Sequence, residues 1–208
     1  MMVKVKICGV TSASDARMAA LAGADALGFN FVRSSPRYID PDMARAIIES
    51  IPPFVSSVGV FVDSHPEKVR EIADRCSLDY VQLHGNEGPQ TIQKLSDLKV
   101  LNATRVGGEE DINGLDSHHI RAHLLDARVA GQAGGTGQTF DWSLARRAVG
   151  RGQTVILAGG LNPDNVEEAI RSARPFGVDT ASGVEKEPGR KSRDLVGEFI
   201  EKAKSVRL

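Results

Sequence analysis

Cysteine is scarce in this chain: Cys8 and Cys76 are its two among 208 residues. Two thiols cannot build a disulfide framework, and they lie at no metal-ligand spacing, so both are expected reduced and no metal site is expected. Long apolar runs are missing as well. No stretch approaches the about 18 residues that a membrane helix needs, and the opening Met1-Met2-Val3-Lys4-Val5-Lys6 lacks the apolar core of a signal peptide. A cytoplasmic location with no membrane partner follows as an expectation. Charge of one sign is also lacking, with 26 Lys and Arg against 27 Asp and Glu and no long block of either. That balance leaves no electrostatic footprint for nucleic acid. Linkers and low-complexity tracts are absent too, which argues for one domain spanning 1–208.

What is present is a hydrophobic fraction of 41%, enough for a substantial core, and an alternation of two patterns. Strand-like runs near 3–7, 25–31, 55–61, 79–84, 99–106, 121–126, 153–158 and 176–181 are rich in Val, Ile, Leu or Phe and mostly bounded by Gly, Asp, Asn or Pro. Helical patterns fall between them, as in Ser12 to Ala22 and Pro163 to Ser172. Asn162-Pro163 reads as a cap residue before a first-turn proline, with Glu167 and Glu168 placed to favour the positive end of the helix dipole. Ser64-His65-Pro66-Glu67 and Asp40-Pro41-Asp42 read the same way. Eight βα units in succession predict an α/β fold of the (β/α)8 TIM barrel type, since closure leaves no sheet edge to protect. An open doubly wound sheet is the alternative, but Cys8-Gly9-Val10-Thr11 lacks the G-x-G-x-x-G fingerprint of a dinucleotide site.

In such a barrel the loops after the strands carry the chemistry. Cys8 ends the first strand and Asp126 the sixth, so both are candidates to move a proton between substrate atoms. Alone, each has a plainer reading: a free Cys is commonly a small buried hydrophobe, and a strand-end Asp is commonly a cap or turn residue. Cys76, four residues after Ile72 on a helical pattern, reads as structural. Glycine clusters follow strands 6, 7 and 8: Gly134-Gly135-Thr136-Gly137, Gly159-Gly160 and Ser182-Gly183. Each alone reads as a turn. Together, at the ends of strands 7 and 8, they predict a phosphate site built from backbone N–H groups. Arg37 is either a carboxylate fork or a solvated loop residue. His84, ending Tyr80-Val81-Gln82-Leu83-His84-Gly85, either orients substrate or fills the barrel top.

Lys6-Ile7-Cys8-Gly9, Gly28-Phe29 with Ser35-Pro36-Arg37, Val58-Gly59-Val60-Phe61-Val62, Gln82-Leu83-His84-Gly85, Leu125-Asp126, Gly134-Gly135-Thr136-Gly137 with Phe140-Asp141-Trp142, Leu157-Ala158-Gly159-Gly160-Leu161, and Gly177-Val178-Asp179 with Ser182-Gly183-Val184-Glu185 occur in this order along nearly the whole chain. The series resembles the phosphoribosylanthranilate isomerase family. The resemblance implies an Amadori rearrangement in tryptophan synthesis, converting N-(5'-phosphoribosyl)anthranilate to 1-(2-carboxyphenylamino)-1-deoxyribulose 5-phosphate without a cofactor. It implies that Asp126 is the general acid and Cys8, as thiolate, the base that takes the C2 proton. Arg37 would hold the anthranilate carboxylate, while glycines including Gly135, Gly159, Gly160 and Gly183, with Ser182, hold phosphate. One departure is Thr180-Ala181-Ser182, where the family usually has a second serine; losing one hydroxyl costs about 0.5–1.5 kcal/mol of phosphate binding at most.

A thiol near pKa 8.5 needs only modest help from cations or backbone N–H groups to serve as base. Two rival functions remain: a non-catalytic phosphosugar-binding barrel, and an isomerase that also serves histidine synthesis. Enzymes of histidine synthesis resemble one another in using two aspartates and a strong half-barrel repeat, whereas this chain has Cys8 at the base position and no repeat of its strand-end motif after strand 5, where Arg105-Val106-Gly107 follows. Residues 127–138 have the composition of a mobile lid. Monomer and homodimer are both open from sequence.

Overall fold

The first strand shows how the sequence builds each wall of the molecule. In β1, Lys4–Cys8, side chains alternate between faces. Val5 and Ile7 enter the main apolar core between sheet and helices, while Lys6 and Cys8 turn inward toward the barrel openings. The same alternation recurs in β2 (Ala26–Asn30), β3 (Ser56–Phe61), β4 (Tyr80–Leu83), β5 (Val100–Val106), β6 (Ile120–Ala127), β7 (Val155–Leu157) and β8 (Gly177–Thr180). These strands lie within about two residues of the runs read from sequence. The structure is a computed structural model, and it describes residues 2–115, 118–127 and 141–208.

Neighbouring strands pair in parallel in chain order, and β8 returns to β1 through Lys4↔Gly177 to Ile7↔Thr180. The sheet is therefore a closed (β/α)8 barrel, and the open-sheet alternative does not apply. The helices around it are α1 (Ala13–Ala22), α2 (Pro41–Ile48), α3 (Pro66–Cys76), α4 (Pro89–Lys94), α5 (Glu109–Asn113), α6 (Trp142–Gly150), α7 (Val166–Ala173) and α8 (Arg193–Ser205). Inside the barrel, Val58, Leu101 and Ala122 form one small apolar layer, and Ala103, Leu124 and Ala158 form the next. Ala122, Leu124 and Asp126 share one face of β6, so the two apolar layers lift the carboxylate to the C-terminal end.

Local signals account for most helix starts. The Ser12 hydroxyl accepts the Asp15 N–H ahead of α1, and the Asp40 carboxylate accepts the Asp42 N–H at α2. Cys76 is buried at the end of α3, its thiol donating to the Pro41 carbonyl at 3.3 Å, in keeping with a structural role. The start of α7 corrects the reading from sequence: Asn165, not Asn162, is its cap position. Asn162 instead closes a turn, its side chain accepting the Asp164 N–H while its own N–H donates to Asn165 Oδ1. The Asn162 carbonyl also accepts the Asn165 and Val166 N–H groups, so one turn leads into the helix proper, and Asn165 makes no side-chain cap bond. Glu167 and Glu168 still occupy the first helical turn.

One connection is more elaborate than a short loop. After β8 the chain makes a 3-10 turn at Ser182–Val184, then a small antiparallel hairpin of β9 (Glu185–Glu187) and β10 (Arg190–Lys191) before α8. It delivers two charged side chains to the barrel mouth.

Candidate active site

At the C-terminal end of the strands lies a cleft of about 150 Å³. Cys8, Arg37, His84, Asp126, Gly159, Gly160 and Ser182 all line it. Strands far apart in sequence thus bring these sequence-selected residues to one place. Gly183 stands behind Ser182, where a Cβ would come 2.0 Å from the Leu161 carbonyl oxygen. Gly135, its glycine cluster and the stretch from 128 to 138 of the suggested lid lie outside the described residues. A larger opening of about 630 Å³ occupies the opposite, N-terminal mouth, lined in part by Tyr80, Lys99 and Phe176 and containing neither cysteine nor histidine.

Cys8 sits beside a buried ion pair. Lys6, two residues earlier on the same face of β1, holds Asp179 of β8 at 2.9 Å, with both side chains nearly sealed from water. Burial alone pulls the Lys6 ammonium down, but Asp179 and Cys8 beside it push it well above an ordinary lysine. Burial drives the Cys8 thiol above its ordinary value; Lys6 opposes the shift, Asp179 adds to it, and Lys191 opposes it. The cations expected from sequence are present, yet desolvation wins, so the resting group is the thiol. Gly28 faces Cys8 in the strand register, and a Cβ there would stand 2.7 Å from the sulfur. A side chain on β2 at this point would crowd the thiol out of the cleft.

Asp126 is buried, and its Oδ1 accepts the Ala127 N–H at 2.8 Å. Its Oδ2 lies 3.3 Å from His84 Nε2, and His84 Nδ1 is in turn 2.8 Å from Gln82 Nε2. Gly159 adopts φ +84°, and a Cβ on it would come within 2.8 Å of Asp126 Oδ1. A carboxyl group with one oxygen fixed by backbone and the other facing an imidazole can deliver a proton in a defined direction.

Arg37 spends two donors inside the protein. Its Nε and Nη2 donate to the two oxygens of Glu185 at 2.9 and 2.7 Å, leaving Nη1 outside that fork. Glu185 also accepts from Lys191 Nζ at 2.7 Å, and Lys191 donates to the Ala181 carbonyl at 3.1 Å. Burial raises the Glu185 carboxyl, but Arg37 and Lys191 bring it below its ordinary range. For Lys191, whose side chain is fully buried, desolvation outweighs Glu185 and lowers the ammonium. Beneath these charges, the Gly159 and Gly160 backbones, Ala181 and Ser182 line the side of the cleft where a phosphate would meet N–H groups.

Lys6, Gln82, Asp179, Glu185 and Lys191 were not selected from sequence. A signal existed for the first three: Lys6 shares the inward face of Cys8, Gln82 that of His84, and Asp179 lies one residue before the end of its own strand. Glu185 closes the Ser182-Gly183-Val184-Glu185 motif but drew no role from it, and Lys191 carried no signal, because a charged residue in a loop looks like solvated surface.

A family model described as N-(5'phosphoribosyl)anthranilate (PRA) isomerase matches residues 5–202. The chain belongs to this family. A phosphoribosylanthranilate isomerase from Trichlorobacter lovleyi is 50% identical over 205 residues, covering 99% of this chain and all of the relative. The crystal structure of the Thermotoga maritima isomerase superposes with a TM-score of 0.92 at 44% identity, covering 99% of this chain and all of that one. A further isomerase structure, solved in complex with reduced 1-(o-carboxyphenylamino)-1-deoxyribulose 5-phosphate, gives 0.89 at 42% identity, again over 99% and 100% of the two chains.

Proposed function

We propose that the chain converts N-(5'-phosphoribosyl)anthranilate to 1-(2-carboxyphenylamino)-1-deoxyribulose 5-phosphate with Asp126 as general acid and Cys8 as general base. It is an isomerase of tryptophan biosynthesis, and the reaction moves protons without net oxidation. The reading rests chiefly on Cys8 and Asp126 opening onto one cleft from strands 1 and 6. Asp126 gives its proton to the furanose ring oxygen, so the ring opens to a protonated Schiff base. Cys8 takes the C2 proton, leaving an enolamine whose tautomerisation gives the ketone. No cofactor is needed to balance these steps.

Because the Cys8 thiol is held up by burial, the active thiolate is a minor form at neutral pH, with Lys6 and Lys191 as the cations that oppose the shift. The Nη1 end of Arg37 takes the anthranilate carboxylate, while Glu185 fixes the guanidinium plane. Gly159, Gly160, Ser182 and Gly183 supply the phosphate side, together with Gly135. Every group with a role belongs to one chain, so monomer and homodimer both suit the reading. The substrate is a small phosphoribosyl compound; nucleic acid and membranes have no part in it. We place the activity in the cytoplasm, in a single domain spanning 1–208; among the described residues no helix is long and apolar enough to cross a membrane.

Loss of anthranilate-type fluorescence when purified protein meets freshly prepared substrate tests the reaction. Rapid loss is expected; background rates from folded protein that still binds a phosphorylated product analogue would favour a non-catalytic phosphosugar-binding barrel. Turnover of the aminoaldose of histidine synthesis in the same assay would add dual specificity.

A further inference from the structure

We propose that Gln82 is a positioning residue that keeps His84 uncharged, so that Asp126 can carry the proton it must donate. The inference rests on the acid role given to Asp126. Gln82 is fully buried on the inward face of β4, with its Nε2 2.8 Å from His84 Nδ1. Its Oε1 is also buried and has no hydrogen-bond partner among the described residues. An amide nitrogen donates and does not accept, so its N–H points at the imidazole. Nδ1 then accepts, and the ring's single proton sits on Nε2, 3.3 Å from Asp126 Oδ2.

The consequence lies in what this arrangement prevents. An imidazolium needs a proton on both ring nitrogens, and an N–H donor aimed at Nδ1 opposes the second. Without Gln82, a charged His84 beside Asp126 would stabilise the carboxylate and strip the acid of its transferable proton. With a neutral ring, Nε2–H favours the carboxylate only as a hydrogen-bond donor, helping as the proton leaves. The other charged neighbours do not undo this. Arg105 on β5 places Nη2 3.4 Å from the His84 carbonyl and disfavours another cation nearby. The β3 side presents Val60, with Val62 just beyond the strand, while Cys8, Arg37 and Asp179 share the cleft, the charge of Asp179 being held by Lys6.

The test is 15N NMR of the His84 ring across pH, with steady-state kinetics, in wild type, Gln82→Met and Gln82→Glu. Wild type should show a ring carrying its single proton on Nε2 at pH 7. Gln82→Glu accepts from Nδ1–H and should make His84 an imidazolium at pH 7. Its kcat should fall about 100-fold, within the range of a general-acid contribution, with KM nearly unchanged and recovery of kcat as pH rises. Gln82→Met, which neither donates nor accepts, should release the tautomer, giving a mixture of Nδ1–H and Nε2–H rings with a smaller loss, and it carries the test if the glutamate variant does not fold. A wild-type proton on Nδ1, or a neutral His84 and unchanged kcat in the variants, overturns the proposal. Absence of wild-type turnover with the Nε2 tautomer in place would instead count against the acid role on which it rests.

Discussion

Arg37 and Glu185 meet fork to fork, Nε on Oε1 at 2.9 Å and Nη2 on Oε2 at 2.7 Å, although 148 residues separate them in the chain. Bidentate pairing fixes the plane of a guanidinium, and here it leaves Nη1 outside the fork, the end that takes the ligand carboxylate in the proposed function. Glu185→Gln should therefore loosen Arg37 without removing it. We expect KM to rise about tenfold, equivalent to about 1.4 kcal/mol, with a smaller change in kcat. Arg37→Ala should cost more, and steady-state kinetics of the two variants checks the order.

The Lys6–Asp179 pair is a liability that one substitution exposes. Lys6→Met leaves Asp179 buried without its cation and should destabilise the fold by about 3–5 kcal/mol. Lys6→Met/Asp179→Leu removes both charges and should recover most of that loss in denaturant unfolding. It should not recover activity, because Cys8 will have lost the cation that most opposes its desolvation.

The pH dependence of the Cys8 thiolate follows from the sign of its shift. With the thiol held above its ordinary value, the thiolate fraction is still growing above pH 8.5, so the ultraviolet absorbance of the Cys8 thiolate, read as wild type minus Cys8→Ala, should climb through pH 8.5 rather than level off below it. Removing a cation raises the thiol further, so Lys191→Met should move this titration to still higher pH. A thiolate signal already complete at pH 7 would contradict the shift.

Much of this was legible in sequence. The eight strands announced themselves because each alternates or runs apolar between turn residues, and Cys8 and Asp126 stood out because each ends such a run. Lys6 and Gln82 were readable by the same period of two, since they share faces with Cys8 and His84. Glu185 and Lys191 were not, because only the β9–β10 hairpin brings them to Arg37 and Ala181. The α7 start was misplaced because Asn162 and Asn165 compete as local hydrogen-bonding residues, and the turn between them takes the first.

At the other end of the barrel, Asp25 accepts from Lys4, the Val5 N–H and Lys204 at 2.9, 2.9 and 3.1 Å. Burial alone raises this carboxyl, but these donors lower it on balance. A depressed folded pKa contributes stability above the unfolded value of about 3.9 and loses it as pH falls through the folded one. Asp25→Asn should cost roughly 1 kcal/mol at pH 7 after allowance for solvent screening. The difference from wild type should shrink below about pH 4, as read by urea unfolding.

Gly183 has no room for a side chain, since its Cβ would stand 2.0 Å from a backbone oxygen. Gly183→Ala must displace either the Ser182–Val184 turn or Leu161, and both moves disturb the proposed phosphate side. Affinity for a phosphorylated product analogue should fall about tenfold or more, roughly the 1.4 kcal/mol or greater that a misplaced backbone donor set represents. Calorimetry on the folded variant measures it.

The division of proton transfer between Cys8 and Asp126 is tested most directly by turnover of wild type, Cys8→Ala and Asp126→Asn on N-(5'-phosphoribosyl)anthranilate, with binding of a reduced product analogue measured on each. The account predicts rapid wild-type turnover, losses of about 100-fold or more in both variants, and analogue binding retained in all three. Near wild-type turnover in either variant would contradict it.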